Sequence, residues 1–313
     1  MEKDAKIYVA GHRGLAGSAI VRALKREGYS NLVTRTHVEL DLRDQHATQD
    51  FFTQERPEYV FIAAAKVGGL KANNTYRADF IYDNLQIQNN LFQNAHEHNV
   101  RKLLYLGSNC MYPKACPQPM KEEHLFTGPL EPTNQPFAVA KIAGAEMCHA
   151  YTLQHKRNFI ACIPASLYGP GDNYNMVHSH IIPTLIKRCH DAKIHGERAV
   201  TLEGGEDRRR EMIYVDDMAD ACLFLMKSYD NPQPINIGVG EDYAIRELAE
   251  SVANTVGFAG KILFDTLKPS GMRQKLLDSS RIHALGWRAK TPLSQGLKSA
   301  YDAYLTLRES SYG

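Results

Sequence analysis

Short apolar runs separated by amphipathic stretches set the rhythm of the first half of the chain. Lys6-Ile7-Tyr8-Val9-Ala10, Asn31 to Arg35, Glu58 to Ala63, Leu103-Leu104-Tyr105-Leu106 and Asn158 to Pro164 are too short for buried helices. Each reads as a buried strand. Between them, Ser18 to Glu27 carries apolar residues at helical spacing, and Tyr82 to His98 makes a longer helix with mixed faces. Asn134-Gln135-Pro136-Phe137-Ala138-Val139-Ala140-Lys141 starts another, with Pro136 in its first turn. Phe137 and Lys141 are four apart and share one face of it. Further on, Val215-Asp216-Asp217-Met218 opens a helix whose two acids suit its N-terminus, and a last helix follows Pro292. Strands alternating with helices predict an α/β fold on a parallel sheet. In such a sheet ligands lie outside the carboxyl ends of the strands. Gly107-Ser108-Asn109-Cys110 follows the fourth run directly, so a hydroxyl and a thiol are expected at that edge.

Composition narrows the picture further. A length of 313 residues suits two domains or one large one. A net charge of +2 gives no general attraction to nucleic acid. No apolar run approaches the ~20 residues of a membrane span, so no membrane partner is expected. Met1-Glu2-Lys3-Asp4 leads straight into a strand instead of a secretory signal, which predicts a cytoplasmic protein. Six cysteines without C-x-x-C spacing then read as free thiols, with no metal site.

The first strand ends in Gly11-His12-Arg13-Gly14-Leu15-Ala16-Gly17 before a helix. Glycines there let backbone approach a pyrophosphate at a helix N-terminus, which predicts a dinucleotide site. The second strand ends Thr34-Arg35-Thr36-His37, without the acid that binds ribose hydroxyls in NAD sites. Arg13, Arg35 and His37 suit a 2′-phosphate, which favours NADP(H); Glu39 is the feature that would favour NAD.

Strand-Ser108 followed by aromatic-x-x-x-Lys141 resembles the catalytic signature of the extended short-chain dehydrogenase/reductases. Gly107-Ser108-Asn109-Cys110-Met111-Tyr112-Pro113 and Glu131-Pro132-Thr133-Asn134-Gln135-Pro136 are similar, within that family, to the 3,5-epimerase/4-reductases of GDP-4-keto-6-deoxymannose. The likeness runs nearly end to end. It implies a Rossmann-type doubly wound parallel sheet with a smaller, discontinuous α/β substrate-binding domain. Residues 1–171, with about 205–239 and 282–313, would bind the cofactor, and about 172–204 and 240–281 the nucleotide sugar. It also implies a homodimer through a four-helix bundle formed by the 82–98 helix and the helix of Lys141.

Residue by residue, the resemblance places Gly11, Arg13, Gly14, Leu15, Gly17, Arg35, His37, Asp41, Leu42, Ala64, Lys141, Pro164, Leu167 and His180 at the cofactor. Ser108, Asn109, Arg188, Glu203, Arg210 and Lys275 fall at the GDP-4-keto-sugar. Ser108 polarises the C4 ketone, and Cys110 and His180 form the epimerising pair. The family tyrosine, which protonates the C4 oxygen, is Phe137 here. Phenylalanine keeps the ring and lacks the proton, so the reductase step is expected to be impaired. Either an engineered Tyr-to-Phe change or a paralogue with another donor would account for it. Other departures from the family pattern are His37 for arginine, Ser166 for asparagine, Gly171 for histidine, Glu203 for tryptophan and Ser270 for aspartate. A reductase or epimerase of another GDP-4-keto-deoxysugar or GDP-heptose is the alternative enzyme. A catalytically silent dinucleotide-binding regulator is the alternative of another class.

Overall fold

The computed structural model describes residues 1–176, 178–265 and 272–312; Ser270 lies outside the described residues. In chain order the elements are β1 (Ile7–Ala10), α1 (Leu15–Arg26), β2 (Leu32–Val33), α2 (Gln45–Glu55), β3 (Tyr59–Ile62), α3 (Leu70–Thr75), α4 (Arg77–Glu97), β4 (Lys102–Leu106), α5 (Gln135–His155), β5 (Phe159–Pro164) and β6 (Ser166–Tyr168). They continue with α6 (Ile181–His195), β7 (Ala199–Glu203), β8 (Arg209–Arg210), β9 (Met212–Tyr214), α7 (Val215–Ser228), β10 (Ile235–Ile237), β11 (Tyr243–Ala244), α8 (Ile245–Val256), β12 (Lys261–Asp265), β13 (Gln274–Lys275), α9 (Ser280–Ala284) and α10 (Leu293–Tyr312).

The expected apolar runs become one parallel sheet in the order β10-β5-β4-β3-β1-β2. Its strands β1, β3, β4 and β5 are buried along their whole length, as strands covered on both faces must be. The α1 and α7 helices pack together, as do α4 and α5. Strand order reverses between β1 and β3, the switch point at which α/β sheets bind ligands. The fold is thus the expected Rossmann-like parallel sheet with flanking helices.

A second apolar cluster joins Ile182, Leu185 and Ile186 of α6 to Leu248 and Val252 of α8. Leu297 and Tyr304 of α10 complete it. Here β7 and β12 pair in parallel, and β8 lies between β11 and β13. Glu211, between β8 and β9, has no exposed surface. Its carboxylate accepts from the backbone N–H of Val239 (2.6 Å), Gly240 (2.8 Å) and Leu277 (2.8 Å). Burial pushes its pKa up to about 7 against those three donors.

Local boundaries differ from the sequence reading for physical reasons. The first helix begins at Leu15, before Ser18, because extended Gly14 serves as its N-cap. The long helix begins at Arg77, before Tyr82, directly after α3. The second strand keeps only two residues, since the chain then turns, Leu40 N–H bonding Thr36 C=O at 2.9 Å. All six cysteines are unpaired. Among the described residues no helix is long and apolar enough to cross a membrane.

Candidate active site

The glycine turn is set by close contact. Gly11 has φ +83°, and a Cβ on it would lie 2.6 Å from the Ala64 nitrogen. A Cβ on Gly17 would lie 2.1 Å from the Gly11 carbonyl oxygen. No acid stands in the first turn of α1, so no carboxylate of the helix itself competes for its N-terminal amides. A cavity of about 1340 Å³ runs from the glycine turn across the carboxyl ends of β1, β3 and β4. Gly11, Arg13, Gly14 and Leu15 line it; Gly17 does not, and supports the turn from beneath.

At one end of the cavity lie Arg35, His37, Asp41 and Leu42. Arg35 is partly engaged, donating to Glu55 Oε1 at 2.5 Å and to Thr34 C=O at 2.8 Å. His37 Nδ1 stands 3.8 Å from Asp41. Hydrogen bonds from Arg43 lower the Asp41 pKa to about 2. Arg43 also reaches Asp83 at 3.3 Å, and Lys66 reaches the same carboxylate at 2.7 Å. Both cations line the cavity; Arg43 looks like an ordinary surface charge in the sequence, and Lys66 belongs to the Ala64–Gly69 stretch that the resemblance runs beneath the cofactor, without its charge being singled out. Asn84 grips the loop that carries Lys66, its amide donating to Lys66 C=O at 3.0 Å and its oxygen accepting from Lys66 N–H at 2.9 Å.

The middle of the cavity is built on the end of β4. Ser108 Oγ accepts from Cys110 N–H at 3.3 Å. Cys110 Sγ accepts from Asn134 Nδ2 at 3.1 Å and Lys275 Nζ at 3.4 Å. Asn109 donates to Ser166 Oγ at 3.3 Å and accepts from Lys275 at 3.4 Å. Lys141 donates to Leu106 C=O at 2.7 Å, and burial lowers its pKa to about 8. Phe137 is buried, its ring meeting Phe80 edge-on at 6.3 Å and 78°. His180, the N-cap residue of α6, lines the same space. Desolvation, then the charge of Lys275, lowers its pKa below the usual imidazole value.

Ala64, Pro164, Leu167, Glu203, Arg210 and Lys275 also line the cavity. Arg210 donates to the carbonyls of Arg209 (2.7 Å) and Met272 (2.8 Å), and desolvation lowers its pKa to about 10. Arg188 does not line this cavity. It lies eight residues past His180, about 12 Å along the α6 axis, and lines a separate cleft of about 400 Å³ with Lys187, Asp191 and Thr201. Asp172 was also missed; it lines the main cavity and burial raises its pKa to about 7. Its place beside a glycine-rich turn gave no signal in the sequence.

A parallel sheet with a glycine turn after β1, and a serine and a lysine at the β4 edge, defines a dinucleotide-binding α/β protein. The chain belongs to the NAD dependent epimerase/dehydratase family, whose model matches residues 7–238. It is 53% identical to GDP-L-fucose synthase 1 of Arabidopsis thaliana, over 97% of this chain and 94% of that protein. A GDP-6-OMe-4-keto-L-xylo-heptose reductase from Campylobacter jejuni superposes with TM-score 0.94 at 40% identity, covering 98% of this chain and 99% of that one. A GDP-mannoheptose C4 reductase from the same organism, with NADP bound, superposes with TM-score 0.89 at 40% identity, over 97% and 99%.

Proposed function

We propose that the chain is an NADPH-dependent 3,5-epimerase/4-reductase that converts GDP-4-keto-6-deoxy-D-mannose to GDP-L-fucose, its reductase step impaired by Phe137. The observation that carries this is the convergence of Ser108, Cys110, Lys141 and His180 on one cavity with the glycine turn. The cradle at Gly11, too tight for a Cβ, fits a pyrophosphate, with Arg13 and Arg35 nearby for a 2′-phosphate. NADPH, when bound, supplies the hydride for the C4 ketone.

The chain's own groups do the rest. The Ser108 hydroxyl donates to the ketone oxygen, which makes the neighbouring C–H groups more acidic. Cys110 and His180 move protons on opposite faces of the sugar. Lys141 orients the cofactor ribose. Arg210, with Asn109 and Glu203 on the same walls, receives the nucleotide sugar. Residues 1–171 with about 205–239 form the cofactor half, and about 172–204 and 240–281 the sugar half, which the apolar cluster around α6 and α8 supports; of the expected 282–313 piece, α10 goes with the sugar half instead, because Leu297 and Tyr304 pack into that same cluster. Exposed Tyr82, Val139 and Leu153 on α4 and α5 support a homodimer through those helices. Unpaired thiols throughout support a cytoplasmic setting.

The test is incubation with the 4-keto substrate in D₂O. Deuterium should enter at C3 and C5, and Cys110→Ser or His180→Asn should abolish it. Normal exchange in both variants would assign this chemistry to other residues. A second substrate class, a GDP-4-keto-heptose, is favoured by the likeness to the two heptose reductases. Turnover against a panel of GDP-4-keto sugars separates the two.

A further inference from the structure

We propose that Lys275 is a positioning residue for Cys110, holding its sulfur as the proton-accepting group, and that its ammonium is committed there in preference to the substrate's diphosphate. This rests on the epimerase activity proposed above. Lys275 lies on β13, in register with Arg210 on β8. Successive strand residues point to opposite faces. Gln274 accordingly turns one way and donates to Asp242 at 2.6 Å, while Lys275 turns the other way, towards the end of β4. There its ammonium meets Cys110 Sγ and Asn109 Oδ1, each at 3.4 Å. Among the described residues it pairs with no carboxylate, so its charge acts undiminished on the sulfur.

Asn134 completes the arrangement. It stands at the N-cap of α5, where an asparagine side chain ordinarily accepts from the first-turn amides. It makes no such bond. Its amide donates to Cys110 Sγ at 3.1 Å instead. Two segments distant in sequence thus aim N–H donors at one sulfur. A cation and a neutral donor are what a sulfur needs to carry negative charge in a cavity. In the step they serve, the C–H bond beside the ketone breaks and its proton passes to Sγ. The electron pair moves into the ketone oxygen as an enolate. A proton delivered to the far face, from His180 or water, then restores the ketone with the carbon inverted.

The same cation bears on His180, whose pKa it helps to lower. Lys275 therefore favours the sulfur as proton acceptor and, by disfavouring imidazolium, makes a proton on His180 easier to give up.

The experiment reads the sulfur directly. Iodoacetamide alkylation of the cofactor-free chain is followed by intact mass at neutral pH, with Cys110→Ser as background; the other five cysteines are buried. Lys275→Met should slow Cys110 alkylation by about tenfold, and Lys275→Arg should restore most of the rate. In D₂O exchange with the keto sugar, Lys275→Met should lower kcat and leave KM nearly unchanged. Thermal melting checks that each variant is folded, and Lys275→Gln replaces any that is not. Alkylation at the parent rate in a folded Lys275→Met or Lys275→Gln chain overturns the proposal, as does a loss confined to KM. If the parent chain exchanges no substrate protons while alkylation still depends on Lys275, the epimerase activity falls and the Lys275–Cys110 relationship stands.

Discussion

The ammonium of Lys141 lies 5.9 Å from the centroid of the Phe137 ring, one turn along the same face of α5. A phenol at that position would be the proton donor that the reductase step requires, and the lysine would stabilise its anion. Phe137→Tyr should therefore raise the reduction rate by on the order of 10²–10⁴, with little change in NADPH affinity. A pH dependence from the new phenol should appear with it. Unchanged reduction in this variant would mean that another group donates the proton.

Lys141 also links stability to pH. Its folded pKa, about 8, lies below the ordinary 10.5 because burial disfavours the charge. Between those values the unfolded chain binds more protons, so stability rises with pH across the window. The charged lysine costs up to about 3 kcal/mol below pH 8. In the cofactor-free protein, Lys141→Met should be more stable than the parent at neutral pH, and the gap should close towards pH 10. Denaturant unfolding of both proteins at several pH values measures it; a gap that widens with pH contradicts the sign.

NADPH should bind more tightly than NADH, since Arg13 and Arg35 line the end of the cavity beyond β2. Glu55 engages Arg35 at 2.5 Å and weakens that preference. Glu55→Gln should free the guanidinium and tighten NADPH several-fold without helping NADH. Titration by nicotinamide fluorescence gives both affinities, and equal or tighter NADH binding in the parent would sink the assignment.

Gly17 offers a check on the cofactor cradle that leaves the chemical groups alone. A methyl there would meet the Gly11 carbonyl oxygen at 2.1 Å, so α1 must move away from the turn. Gly17→Ala should cost about 1–3 kcal/mol of stability and reduce cofactor affinity at least tenfold. Urea unfolding and fluorescence titration read the two effects; wild-type values in both would show that the turn tolerates the shift.

The sheet was legible because its strands are covered on both faces and therefore read as continuous apolar runs, Leu103-Leu104-Tyr105-Leu106 above all. The Rossmann-like order followed from strand–helix alternation and the glycine turn. The cavity's end wall was not legible. Arg43 and Lys66 owe their positions to Asp83, 40 and 17 residues further along the chain, and local pattern carries no trace of such pairing. Lys275 was picked out as a cation, but its partner Cys110 lies 165 residues before it. Arg188 shows the converse: its type and neighbours suited a phosphate, while helix geometry set it in another cleft. Asn134 read as an ordinary helix start, and only the fold reveals that its side chain leaves the helix for a sulfur.

The outermost strand on one side of the sheet, β10, pairs with β5 although the chain runs through β6, α6, β7, β8, β9 and α7 between them. During synthesis, then, β5 emerges well before its neighbour. Until Ile235–Ile237 leaves the ribosome, one side of Phe159–Pro164 presents an apolar ladder of unpaired amides and carbonyls. That interval is when the nascent chain is most open to pairing with another copy of itself, and when a chaperone has most to shield. A ribosome stalled just before residue 235 would hold the chain in that state, and one stalled well after residue 237 would not.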